Sequence, residues 1–248
     1  MTVWADCKGE NHIKPLSGCL FRLVESQEQV ATRSYVDTME EQFVLEELLE
    51  QSKPPYPGKS QSLHYLLKTP FRYPPLPWGS RFGQQHEPSL FYGGCSVEVT
   101  LAESAFYRLV HINSMEGEAP KTTIRSEHTL FSVRYKTKQG IQLQAPPFDQ
   151  YRDQLTHLSN YSVCQRLGSD MREAGVGLFE YLSARSMEEG VCVAIYTPES
   201  FSQKRPANMD HWFCECSAEG VVFKQSRGKP VYFPASQFLE EGVLPLPA

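Results

Sequence analysis

Apolar positions along the chain fall into two rhythms, and each rhythm predicts its own elements. Residues 20–24 (LFRLV) form a short apolar run broken by Arg22, which reads as a strand bearing one inward or ligand-facing charge. From Thr32 the spacing changes. Val36, Met39, Phe43, Leu45, Leu48 and Leu49 recur near the helical period, with Asp37, Glu40, Glu41, Glu46, Glu47 and Glu50 between them. That predicts an amphipathic helix with a solvated acidic face. The KPPYPG stretch at 53–58 cannot continue it. Residues 63–67 read as a short helix and FRYPPLPWG at 71–79 as an extended stretch.

The densest signal lies at 79–103. A Gly-rich turn carries Arg81, an apolar strand at 89–92 ends on Tyr92, and Gly93 and Gly94 follow. A helix then starts near Glu98, whose charge suits a helix N-terminus, and runs through Leu101, Ala105 and Leu109 with Glu103 on it. Alternation over 128–136 predicts a strand, and Gly140 a hairpin returning through Ile141 and Leu143. Residues 149–155 and 163–174 read as helices, 178–182 and 191–196 as strands. Residues 212–216 and 221–224 read as a hairpin around Glu219-Gly220, followed by a proline-rich tail that packs loosely. Helices early and strands late give an α+β mixture instead of βαβ alternation.

Composition narrows the function classes. The chain has 248 residues, 40% hydrophobic, 21% charged and 12% aromatic, with a formal charge of -5 and no basic run. These are globular values that argue against direct binding to a nucleic-acid backbone. No apolar segment approaches the roughly 18 residues a membrane helix needs, and the N-terminus has no secretory pattern. Seven scattered cysteines fit reduced thiols in the cytoplasm. Cys214 and Cys216, near His211, share one strand face; buried thiols outweigh a metal site there, so no metal is expected.

Dinucleotide-fold, Walker, HExxH and GxSxG signatures are absent. What remains is an arginine, a tyrosine and a glutamate within one short stretch. A guanidinium fork suits phosphate, a ring stacks on a flat heterocycle, and a carboxylate stabilises a sugar-derived cation. NAD presents all three targets, and cleavage of its nicotinamide–ribose bond uses them together.

Three ordered pieces resemble the RES domain family. GSRFG carries Arg81, SLFYGGCSVEVTLAE carries Tyr92 and Glu103, and GLFEYLSARSMEEGVCVAIYTPESF carries Ser183 and Arg185. LFRLVESQ is similar to the family's opening, with Arg22 as its early arginine and Arg72 as a rival. Leu182 and Gly83 depart from the family pattern, as does the helical insertion at about 32–57.

The resemblance implies one RES domain over 1–248, with a core at about 60–235. Its fold would be a split mixed β core like that of ADP-ribosyltransferases. It implies a toxin of a toxin–antitoxin pair that consumes NAD as substrate, with phosphate, water or a protein as acceptor of ADP-ribose. A catalytically inactive nucleotide- or partner-binding module is the remaining alternative. Arg22 and Arg81 would hold the pyrophosphate, Tyr92 would orient nicotinamide, Glu103 would stabilise the transition state and Ser183 would position the ribose. The implied partner is an antitoxin with a helix-turn-helix part and a segment that blocks the NAD cleft. Self-association is compatible with all of this.

Overall fold

The computed structural model describes residues 2–26, 32, 35–115 and 122–246. It opens with a short helix, α1 (Val3–Asp6), capped by Thr2, with Val3 and Trp4 buried in the core. Strand β1 (Lys14–Glu25) extends well beyond the predicted apolar run. Helix α2 (Met39–Ser52) follows, then α3 (Tyr65–Lys68), β2 (Phe91–Gly94) and α4 (Val97–Asn113). Next come β3 (Thr123–Gln142), α5 (Arg152–Leu155), α6 (Ser162–Glu173), β4 (Leu178–Leu182) and β5 (Val191–Ile195). The strands β6 (Asn208–Ser217), β7 (Gly220–Gln225) and β8 (Val231–Pro234) complete the sheet. The α+β expectation holds.

Among the described residues the strands form one sheet in the order β1-β2-β5-β4-β3-β6-β7-β8. The long β3 organises it. Its first half pairs with β6, its middle with β1, and residues 140–142 with β4 in the sole parallel pairing given. Because β1 also meets β2, the first five strands close into a ring. That closure is thin. β1 and β2 pair only at Phe21 and Gly94, and beyond that point the two strands part.

Inside the ring lie Leu20, Phe91, Phe131, Val133, Val193 and Ile195. Glu180 is buried beside them and accepts hydrogen bonds from the Tyr135 hydroxyl (2.8 Å) and the Gln142 amide (2.8 Å). A buried carboxylate without such donors would be costly. A second cluster packs α4 against β6 and β7. A third joins α1 and α6 to the other face of β4 and β5.

Five expectations are corrected. The α2 helix begins at Met39 behind a Thr38–Glu41 capping box, not at Thr32, and residues 33–34 lie outside the described residues. Nor is it amphipathic. Gln42 is buried, while Met39, Phe43, Val44 and Leu48 are exposed on more than one side of the helix. Gly140 makes no hairpin; β3 runs straight through it, and the Leu16 side chain occupies the space a side chain would need. Gly93 and Gly94 lie within β2, not after it. The tail does not pack loosely: β8 adds a strand, and Phe233 and Phe238 are buried on the α4 cluster.

His128 sits in the middle of β3, buried against the Phe223 ring. One ring nitrogen meets Ser126 Oγ at 2.8 Å, and the ring also bonds the Val24 backbone. Burial, reinforced by Arg108, lowers its pKa from 6.5 to about 4. The folded state therefore holds this ring neutral where the unfolded chain would protonate it. Its contribution is intact above pH 6.5 and is lost as pH falls towards 4, at a cost of up to about 3 kcal/mol. Urea midpoints measured from pH 7 to pH 4 should fall more steeply for wild type than for His128→Asn. Parallel profiles would refute this assignment.

Candidate active site

A cavity of about 370 Å³ opens where β1 and β2 part. Its walls are Arg22 and Leu23 of β1, Tyr92, Gly93 and Gly94 of β2, one face of α4, and His128 of β3. The Ser80–Arg81 turn, Tyr181 and Cys192 close the other end. Close packing explains the glycines. A methyl group on Gly94 would lie 2.5 Å from Thr100 Oγ1, so only glycine lets α4 approach the strand here. Ser96 caps α4 by accepting from the Val99 amide, and Thr100 Oγ1 donates to the Ser96 carbonyl at 2.8 Å with the Phe21 carbonyl 3.3 Å away.

Arg22 fills the gap between the parting strands. Its Nη1 donates to the Tyr92 carbonyl at 2.9 Å, and its guanidinium lies 4.6 Å from the Phe91 ring centroid. No carboxylate pairs with it among the described residues, and burial lowers its pKa to about 10. Arg72, the rival for the early-arginine role, is elsewhere. It pairs with Glu50 at 2.6 Å, bonds the Pro54 carbonyl and stacks on Tyr56.

Arg81 is buried. Its Nη1 donates to the carbonyls of Leu155 (3.4 Å) and His157 (2.8 Å), and it lies over the Tyr161 ring. Burial disfavours its charge, but the fields of Tyr161 and Glu103 outweigh that and raise its pKa. The turn that carries it has two anchors. The Tyr92 hydroxyl accepts from the Phe82 amide at 3.2 Å and shares a hydrogen bond with Ser80 Oγ at 2.8 Å. Gly168 of α6 lies under the Phe82 carbonyl, where a methyl group would sit 1.9 Å from the oxygen. Burial pushes the Tyr92 phenol up to about 12, so it stays protonated at neutral pH.

Glu103 faces the cavity from the second turn of α4. Ser183 Oγ donates to its Oε1 at 2.5 Å while accepting from the amides of Arg185 (3.0 Å) and Ser186 (3.1 Å). The Cys192 thiol lies 3.9 Å from the same oxygen, and burial raises its pKa well above the ordinary value, so it is no thiolate nucleophile. Behind this pair, Arg185 is buried with its guanidinium 3.4 Å from the Phe106 ring centroid. It donates to the Leu158 carbonyl and the Tyr161 hydroxyl, and burial lowers its pKa.

Arg22, Arg81, Tyr92 and Glu103 thus line one cavity, and Ser183 touches it through Glu103. Sequence reasoning missed Ser80, Tyr181 and Arg108, which also line it. Thr100, Ser104 and Arg108 recur every four residues on a helix otherwise filled by Leu101, Ala102, Ala105, Phe106 and Leu109. That polar stripe was the available signal. The lining carries three arginines against one carboxylate, an anion-attracting interior in an acidic chain. Among the described residues, no cluster of His, Cys, Asp and Glu could hold a metal ion, and Cys214 and Cys216 are buried core thiols. No helix there is long and apolar enough to cross a membrane.

A family model described as RES domain matches residues 58–215, more than half of the chain. The chain belongs to the RES domain family. The RES match starts downstream of β1, so Arg22 lies outside it and only the fold brings this residue to the site. No curated protein matches the chain. Among solved structures, a chain of the crystal structure of the M. tuberculosis MbcT–MbcA toxin–antitoxin complex is similar, at 8% identity and a TM-score of 0.48. The similarity covers 94% of this chain and 93% of that one.

The unpaired charge of Arg22 is a strain that the ligand-free fold carries. Arg22→Met keeps the buried stem and removes the charge. It should raise the melting temperature by about 3 °C or more. A lower melting temperature would show that the guanidinium supports the fold instead.

Proposed function

We propose that this chain is the toxin enzyme of a toxin–antitoxin pair and that it destroys NAD by cleaving the nicotinamide–ribose bond. The observation that carries the reading is Glu103, held by Ser183 in a cavity whose other charged walls are guanidinium groups. An arrangement of one fixed carboxylate among anion-binding groups suits a substrate with a diphosphate at one end and a developing sugar cation at the other. The ADP-ribosyltransferase-like split core that the family resemblance implies accords with the cavity's position at the parting of β1 and β2.

In this reading Arg22 and Arg81 grip the diphosphate, and the Tyr92 and Tyr181 rings, packed edge to face at 6.4 Å, form one wall for the nicotinamide. The bond from the anomeric carbon to the ring nitrogen breaks, and its electron pair neutralises the pyridinium. The anomeric carbon becomes an oxocarbenium-like centre facing Glu103. An oxygen of phosphate or water then bonds to that carbon from the vacated side; a water acceptor releases its proton. Ser183 acts as a positioning residue, because its hydrogen is committed to Glu103. Free thiols at all seven cysteines suit a reducing cytoplasm, where NAD is found. The matching partner is an antitoxin with a DNA-binding helix-turn-helix part and a segment that closes the cleft.

Purified protein mixed with NAD, with and without phosphate, should release nicotinamide. Glu103→Gln should lower kcat by about 100-fold or more, and Ser183→Ala by about tenfold with KM little changed. Equal release by wild type and Glu103→Gln would refute the assignment. Mass spectrometry of the products separates acceptors: an added ADP-ribose mass on protein would make the chain a transferase.

A further inference from the structure

Helix α4 turns one face to the cavity over three turns, through Thr100, Glu103 with Ser104, and Tyr107 with Arg108. With a rise of 1.5 Å per residue, Arg108 stands about 7.5 Å further along the axis than Glu103. That is comparable with the run from an anomeric carbon across its ribose to the phosphates. The groups facing Arg108 leave it nearly free. His128 is neutral at physiological pH, with its ring committed to Ser126 and Val24. Glu25 is the one carboxylate paired with Arg108 among the described residues, at 3.7 Å, and its side chain is 63% exposed. So long and wet a pair contributes little. Arg22, from β1, reaches the same cavity with no carboxylate paired to it among the described residues. Two guanidiniums therefore enter one cavity from separate elements, and neither is neutralised from within.

We propose that Arg108 and Arg22 form an anion subsite for the phosphate nearer the adenosine, so that the site selects dinucleotides over nicotinamide mononucleosides. The proposal rests on the NAD reading above and extends it to a residue that the sequence did not single out. Glu25, 3.7 Å away and largely exposed, is too weak a partner to hold Arg108 back from an incoming phosphate. Tyr107, half exposed beside Arg108, forms the rim over which the adenosine leaves the cavity.

Calorimetric titration of the full chain with ADP tests the subsite without requiring turnover. Wild type should bind ADP, and Arg108→Ala should weaken it by about tenfold or more, as loss of a charge-assisted phosphate contact does. Arg108→Lys, which keeps the charge without the fork, should fall between them. Glu25→Gln should bind ADP at least as tightly as wild type, because the weak pair is not what places the guanidinium. If the Arg108–Glu25 pair were structural, the same substitution would weaken ADP binding. Melting curves of each variant establish that it is folded before titration. The proposal is overturned if wild type binds no ADP, or if folded Arg108→Ala and Arg108→Lys both bind it as wild type does. ADP binding that depends on Arg108, in a protein that releases no nicotinamide, would sink the cleavage reading and leave the subsite standing. Nicotinamide release with ADP affinity indifferent to Arg108 would do the reverse.

Discussion

Tyr92 is gripped at both ends, and the site hangs from that grip. Its carbonyl accepts from Arg22 where the ladder between β1 and β2 stops, and its hydroxyl accepts from the turn that holds Arg81. One residue at the end of a strand thereby sets the positions of two guanidiniums that sequence places 59 residues apart. The strands could have continued to pair. They part because Gly94 admits Thr100 of α4 against the sheet and Arg22 takes the carbonyl that a backbone amide would have used.

Charge placement follows from that opening. The chain is acidic overall, yet Glu103 is the one carboxylate in the cavity lining, while five glutamates lie on α2. Inside, Arg22 and Arg81 are held by backbone carbonyls and aromatic faces. Neutral partners fix a guanidinium in place without cancelling its charge. The site thus keeps its electrostatic pull on an anion, and the ligand-free fold bears the cost of the desolvated charge.

Much of this was legible in the sequence, and what was not has physical causes. Arg81, Tyr92 and Glu103 sit close together in the chain, within one loop–strand–helix unit, so local pattern found them. Arg22 could not be separated from Arg72 by spacing. Arg72 lies nearer Arg81 in the chain, yet Glu50 and Tyr56 hold it against α2. Gly140 misled because glycine has two uses, turning a chain and making room for a neighbour, and here the neighbour is Leu16. The acidic pattern of α2 suggested a one-sided helix, whereas its apolar residues are spread around the axis, which a count of periodic positions does not detect. Arg108 was hidden by its neighbours: on an otherwise apolar helix it reads as a solvent-facing charge.

The docked tail has a mechanical consequence. Gln237, just past β8, donates its side-chain amide to the Arg185 carbonyl at 3.0 Å, and Phe238 beside it is buried near Phe106. Arg185 follows Ser183 by two residues, and Ser183 holds Glu103. The end of the chain is thus a buttress behind the carboxylate. A nick in the exposed turn before β8 would be felt as slack in the pocket, although the cut lies outside the cavity lining.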